Sequence, residues 1–154
     1  MRVDHIPCGE CVNESERVAI ERLIRELNGF GAPHQRWILL SNVPSAVNDR
    51  AIPDEIDLVG IGPSGFFVIE VKHWDRAFLK SNQTAVLKEA TKLNDKVRRL
   101  VGKLRRAGID TGFVAGRFLL TRDGVRWDGQ RPEFHGGKFF GLSEWKQLLD
   151  VESG

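Results

Sequence analysis

The chain predicts an α/β domain in which a mixed β-sheet carries helices on both faces, with a core order α-β-β-β-α-β. Three observations carry that expectation. Two apolar runs, Ile56 to Ile61 and Phe66 to Val71, flank Gly62-Pro63-Ser64-Gly65, a hairpin signal in which Gly and Pro each supply turn geometry. Amphipathic helical stripes precede and follow that hairpin. A further apolar run, Phe113 to Thr121, gives a strand after the second stripe, an alternation that suits a mixed sheet covered on both faces.

Taken in order, residues 1–12 read as an N-terminal arm, 13–150 as a single domain, and 151–154 as a tail or truncation point. Asn13 opens a helix with Glu16 at capping-box spacing, and Ile20, Leu23, Ile24 and Leu27 form its stripe until Asn28-Gly29 stops it. A strand is expected from about Arg36 to Val43, and an exposed loop from Pro44 to Pro53. The hairpin strands follow, about 55–61 and 66–72, then a short extended piece near Ala77 to Lys80. A long helix begins around Ser81 or Asn82 and runs to Ala107, with Gly108 as its natural terminator. Its buried stripe is Val86, Ala90, Leu93, Val97, Leu100 and Leu104. Val125 to Gly137 reads as a loop or loose hairpin, Lys138 to Gly141 as a short strand, and Ser143 as the cap of a final helix with Trp145, Leu148 and Leu149 inward.

With 154 residues, 41% hydrophobic and 29% charged, the composition is that of one soluble globular domain able to bury a core without staples. No stretch approaches transmembrane length and no apolar leader opens the chain, so a cytoplasmic location without membrane contact is expected. The net charge of +2 by itself points to no partner. Cys8 and Cys11 form a C-x-x-C with His5 nearby, but no second pair completes a zinc set and no thioredoxin-like pattern surrounds it. An exposed, reduced pair is the expectation.

The chemistry concentrates in the hairpin. A turn centred between Pro63 and Ser64 places Asp57 opposite Glu70 and Glu55 opposite Lys72, all on one face because side chains alternate along a strand. Directly opposed residues are roughly 5 Å apart, and two carboxylates at that distance repel by about 3 kcal/mol at an effective dielectric near 20. A divalent cation would offset this, and Mg²⁺, with Mn²⁺ substituting, suits one or two carboxylates plus waters. Lys72 would then orient an attacking water or stabilise charge on phosphate oxygens. The competing reading is a surface ion network. Both strands are apolar on both faces, which favours a covered, central hairpin. Asp54 has the wrong parity for this face, so Asp57 is the preferred ligand.

Glu16 has two readings, completion of the capping box or a carboxylate on the buried stripe that reaches the cation site. Lys88, Lys92, Lys96, Arg99, Lys103 and Arg106 lie on one face of the long helix. That face is either simply solvated or a polyanion-binding surface. Lys80 and Lys88, nearest the hairpin, are the better phosphate candidates. Trp74 and Trp127 either pack or stack on bases. His73 is expected to face away from Lys72, and Gln83 is near enough to reach the site.

At these residues the chain resembles the nuclease-related domain (NERD) family, whose fold is related to the PD-(D/E)xK restriction endonucleases. The likeness runs from Ser15-Glu16 through Glu55-Ile56-Asp57, the Gly62 to Lys72 hairpin and Trp74 to the strand holding Phe118. It implies Asp57 and Glu70 as metal ligands, the Val71 carbonyl as a further ligand, Lys72 as the catalytic lysine and Glu16 as a supporting carboxylate. Two departures stand out: Ser15 where Gly is frequent before the helix Glu, and Glu89 where the long helix often carries Gln. Together these readings give the leading expectation of a Mg²⁺- or Mn²⁺-dependent nuclease with DNA favoured, and the charged helix face and its neighbourhood give Lys80, Lys88, Lys92, Lys96, Arg99 and Lys103 as expected nucleic-acid contacts. Two-strand cleavage would favour a homodimer. The alternative is a non-catalytic nucleic-acid-binding or targeting module of a larger bacterial protein, since such domains occur fused to kinases or helicases.

Overall fold

The computed structural model describes residues 1–11, 13–31, 34–45, 54–122, 133–134 and 137–151. Its centre is the hairpin of β3 (Asp54–Gly62) and β4 (Gly65–Lys72). The pairs run from Leu58↔Ile69 to Gly62↔Gly65, the register expected from the turn. Gly62 is required by packing as well as by the turn, because a Cβ there would lie 2.2 Å from the Trp37 indole. β2 (Arg36–Ser45) pairs antiparallel with β3, while β5 (Val114–Leu120) and β7 (Gly137–Gly141) extend the sheet in parallel beyond β4. The two-residue β6 (Glu133–Phe134) pairs antiparallel with β7.

Helices cover both faces. α1 (Glu14–Asn28) packs Ala19, Ile20, Leu23 and Leu27 with Trp37, Leu39, Leu58, Phe67 and Ile69, and α4 (Trp145–Leu148) closes the same cluster. α3 (Gln83–Arg106) packs Val86, Ala90 and Leu93 on the other face against Ile56, Val59, Val68, Phe118 and Leu120. Its C-terminus is a Schellman motif: Ile109 N–H donates to Leu104 O at 2.8 Å and Gly108 N–H to Arg105 O at 2.9 Å. Gly108 takes a φ of +81°, the left-handed conformation that suits its expected role.

Four local expectations are corrected. The segment expected as an arm contains β1 (Arg2–Pro7), an edge strand parallel to β2. Its alternation is hidden by Arg2, Asp4 and His5, and charges of this kind protect an edge from further pairing; Asp4 pairs with both Arg2 and Arg36. The piece near Ala77 to Lys80 is helical, α2 (Arg76–Ser81), because the Asp75 carboxylate accepts from Phe78 N–H at 2.8 Å and Leu79 is buried. Ser143 does not cap the last helix; it lies inside a 3₁₀ turn, Leu142–Glu144, that precedes α4. There Glu144 reaches back to Gly141 N–H at 2.9 Å. Pro44 continues β2 rather than opening a loop. Trp127 and most of the loops expected at 44–53 and 125–137 lie outside the described residues.

Candidate functional site

One irregularity organises the site. β2 and β3 keep a single register from Ile38↔Ile61 to Ser45↔Asp54, except that Asn42 and Asp57, opposite each other, make no ladder pair. Asn42 has a φ of 52°, a left-handed conformation that Asn tolerates better than most residues. Side-chain alternation reverses there. On the hairpin side, Leu39 and Leu58 face α1 while Leu40, Val59 and Ile61 face α3; beyond the bend Val43 and Ile56 face α3 as well, where unbroken alternation would turn them away.

The reversal corrects two expectations about the carboxylates. Asp54, with the parity of Ile56, turns toward α3 and pairs with Lys96 at 3.4 Å and with Arg99. Glu55 turns out to solvent, and its expected partner Lys72 pairs instead with Glu89 at 3.1 Å. Parity fails because it assumes a regular strand, and the strand is irregular at the residue of interest.

The described residues form a cleft of about 620 Å³ lined by Asn13, Glu16, Asp54, Asp57, Glu70, Val71, Lys72, His73, Glu89, Lys92, Asp95, Lys96 and Arg99. Asp57 is held from β4, its Oδ2 accepting from Val71 N–H at 2.9 Å. Glu70 is only 5% exposed. Its burial, the Asp57 charge and a carboxyl–carboxyl hydrogen bond with Asp57 push its pKa up to about 8, against the pull of Lys96. The raised Glu70 carboxyl is the expected consequence of opposed like charges.

Glu16 enters from the first turn of α1. Asn13 Oδ1 accepts from Ser15 N–H at 3.0 Å and Glu16 N–H at 3.3 Å, so Asn13 is the cap. The Glu16 side chain accepts from Asn42 Nδ2 at 2.8 Å rather than returning to Asn13. Burial and then the Asp57 charge hold the Glu16 carboxyl above its usual value. Cys11 touches the same carboxylate, and burial followed by the Glu16 charge raises its thiol. Cys8 and Cys11 form no disulfide; Cys8 is exposed as expected, whereas Cys11 is half-buried.

On the α3 side, Lys72 is placed by the Glu89 carboxylate and lies 5.6 Å from the Trp74 ring centre. Burial raises the Glu89 carboxyl, but the hydrogen bond and charge of Lys72, then Lys92, outweigh it and leave its pKa lowered. Lys96 is corrected most sharply. It is 9% exposed, and its Nζ donates to Glu70 Oε1 at 2.8 Å and Glu55 O at 2.7 Å. The six cations of α3 therefore do not form one solvated stripe. Lys92, Lys96 and Arg99 line the cleft and pair with its carboxylates, whereas Lys88, Lys103 and Arg106 of α3, and Lys80 on α2, are exposed outside its lining.

Trp74 stacks with Phe78 and Phe118, at 4.8 and 6.2 Å between ring centres, the packing alternative of its two readings. Gln83 does not reach the cleft and bonds Lys80 O. His73 lines the rim and pairs with Thr121 Oγ1 at 2.7 Å. Sequence reasoning gave Lys96 as a nucleic-acid contact and missed its pairing with Glu70, left Glu89 undecided and did not single out Asn42. Glu89 and Lys96 lie three residues from Val86 and Leu93 on the same flank of the apolar stripe, a spacing that brings polar heads to the sheet surface.

Among the described residues no group of three or more His, Cys, Asp or Glu side chains is arranged to hold a metal ion, and no helix is long and apolar enough to cross a membrane. No curated protein and no solved structure matches the chain. The mixed sheet with helices on both faces is a restriction-endonuclease-like core. Residues 13–114, more than half of the chain, match the nuclease-related domain, and the chain belongs to that family.

Proposed function

We propose that the cleft is the active centre of a Mg²⁺-dependent nuclease, with Mn²⁺ able to substitute, that hydrolyses phosphodiester bonds of nucleic acid, DNA being favoured. The observation that carries this is the Asp57–Glu70 pair: two carboxyls in mutual contact, one of them raised to about 8, lining a cleft that also presents Lys72. Core packing has no use for such a pair, whereas a hard cation takes oxygen ligands of this kind.

Asp57, Glu70 and the Val71 carbonyl would hold the cation, with Glu16 as a supporting carboxylate. When bound, Mg²⁺ supplies Lewis acidity and lowers the pKa of water. The protein's own groups do the rest. Lys72, placed by Glu89 and Trp74, presents an ammonium to the phosphate oxygens and orients the attacking water. Lys92 and Arg99 line the approach, and the exposed Lys80, Lys88 and Lys103 offer further phosphate contacts at longer range.

Cleavage of plasmid and short duplexes, compared in Mg²⁺, Mn²⁺ and EDTA, tests the proposal. Activity that needs the cation and falls about 10²-fold in Lys72→Ala is the expected result. Unchanged cleavage in that variant would overturn the assignment, and salt-sensitive binding without turnover would favour the non-catalytic module instead.

A second prediction arises from the raised Glu70 carboxyl. With Glu70 protonated below about 8, cation binding at pH 7 should release close to one proton, so affinity should rise with pH until about 8. Calorimetry in buffers of different ionisation enthalpy measures this directly. Binding with no proton release would show that the two carboxyls are not the ligands.

A further inference from the structure

The Lys96 ammonium occupies a place built like a cation site. Three oxygens surround Nζ: Glu55 O at 2.7 Å, Glu70 Oε1 at 2.8 Å and Asp54 Oδ1 at 3.4 Å. Two carboxylates and a backbone carbonyl are the donors a hard divalent ion takes, and an ammonium is a compact charge with three N–H donors to match them. The bend at Asn42 and Asp57 creates this cage, since it turns Asp54 toward α3. Glu70 is common to the cage and to its pairing with Asp57.

We propose that Lys96 is a built-in cation, filling what would otherwise be a second metal place, so that the cleft takes one divalent ion per chain rather than two. The inference rests on the Asp57–Glu70 pair being the first place. Lys96 then supplies a fixed positive charge beside the bound ion through Glu70, acting as a positioning residue and not as a group that touches substrate. Its removal should open the cage to water and to a second ion.

Counting tightly bound Mn²⁺ by electron paramagnetic resonance and calorimetry tests this without reference to activity. One ion is expected for the wild type, two for Lys96→Ala, and one, held in the opened cage, for the double variant Asp57→Asn/Lys96→Ala. Two ions on the wild type would overturn the proposal, as would a Lys96→Ala chain that still binds one. Should Lys96→Ala fail to fold, Lys96→Ser is counted in its place, and the wild-type count decides independently. A wild type that binds none, beside a double variant that binds one, would refute the first place while upholding the role of Lys96. No ion on either would overturn both.

Discussion

Replacing Glu70 by Gln is expected to lower cleavage by about 10³-fold or more and to make the metal-free protein more stable at pH 8, not less. The two effects share one cause. Glu70 is buried against Asp57, and its pKa is raised from 4.5 to about 8. An acid whose folded value is raised contributes fully below its unfolded value and loses that contribution as pH rises toward the folded one. Metal-free stability should therefore decline between about pH 4.5 and pH 8. Gln keeps the hydrogen-bonding capacity of the protonated acid without its ionisation, so Glu70→Gln should hold its stability across this window and exceed the wild type at pH 8 by on the order of 2 kcal/mol. Urea midpoints at pH 5 and pH 8 measure the difference. A variant less stable than the wild type at pH 8 would show that the Lys96–Glu70 ion pair outweighs the Asp57–Glu70 conflict. In the wild type, saturating Mg²⁺ should restore much of the lost stability, because a ligand that binds only the folded chain stabilises it by mass action.

The opposition of Asp57 and Glu70 was legible in the sequence because it depends on a short, regular piece of chain. Gly62-Pro63-Ser64-Gly65 sets the turn, alternation sets the face, and Leu58↔Ile69 confirms the count one residue short of the pair. What was not legible lies where regularity ends or where distant elements meet. Asp54 was rejected on parity that Asn42 reverses, and an Asn in mid-strand is no signal of a left-handed bend by itself. Lys96 was read as part of an outward face, solvated or polyanion-binding, because helical angles alone do not show how far a sheet surface extends beneath a helix flank. β1 went unread because its residues are mixed, and its evidence is the neighbouring β2, to which it adds by parallel pairing. The short α2 is marked by little more than the Asp75 cap.

Asn42→Val is expected to cost about 3 kcal/mol and to weaken cation binding tenfold or more, whereas Asn42→Gly should leave most of the stability intact. Asn42 combines two functions that these substitutions separate. Its backbone, at a φ of 52°, turns both strands; its side chain donates to Glu16 at 2.8 Å. A β-branched residue is a strong outlier at positive φ, so Val works against the bend itself. If the strands regain unbroken alternation, Asp54 and Ile56 turn toward α1 and Glu55 toward α3, dismantling the Lys96 cage and moving Ile56 out of its cluster. Glycine accepts positive φ freely and removes only the side-chain bond, at a net cost of about 1 kcal/mol. Denaturant midpoints and Mg²⁺ calorimetry on the two variants distinguish the functions. Equal losses in Val and Gly would assign the effect to the Glu16 bond; a large loss confined to Val would assign it to the bend, making a backbone conformation in β2 the feature that brings Asp54, Asp57, Glu70 and Lys96 into one cleft.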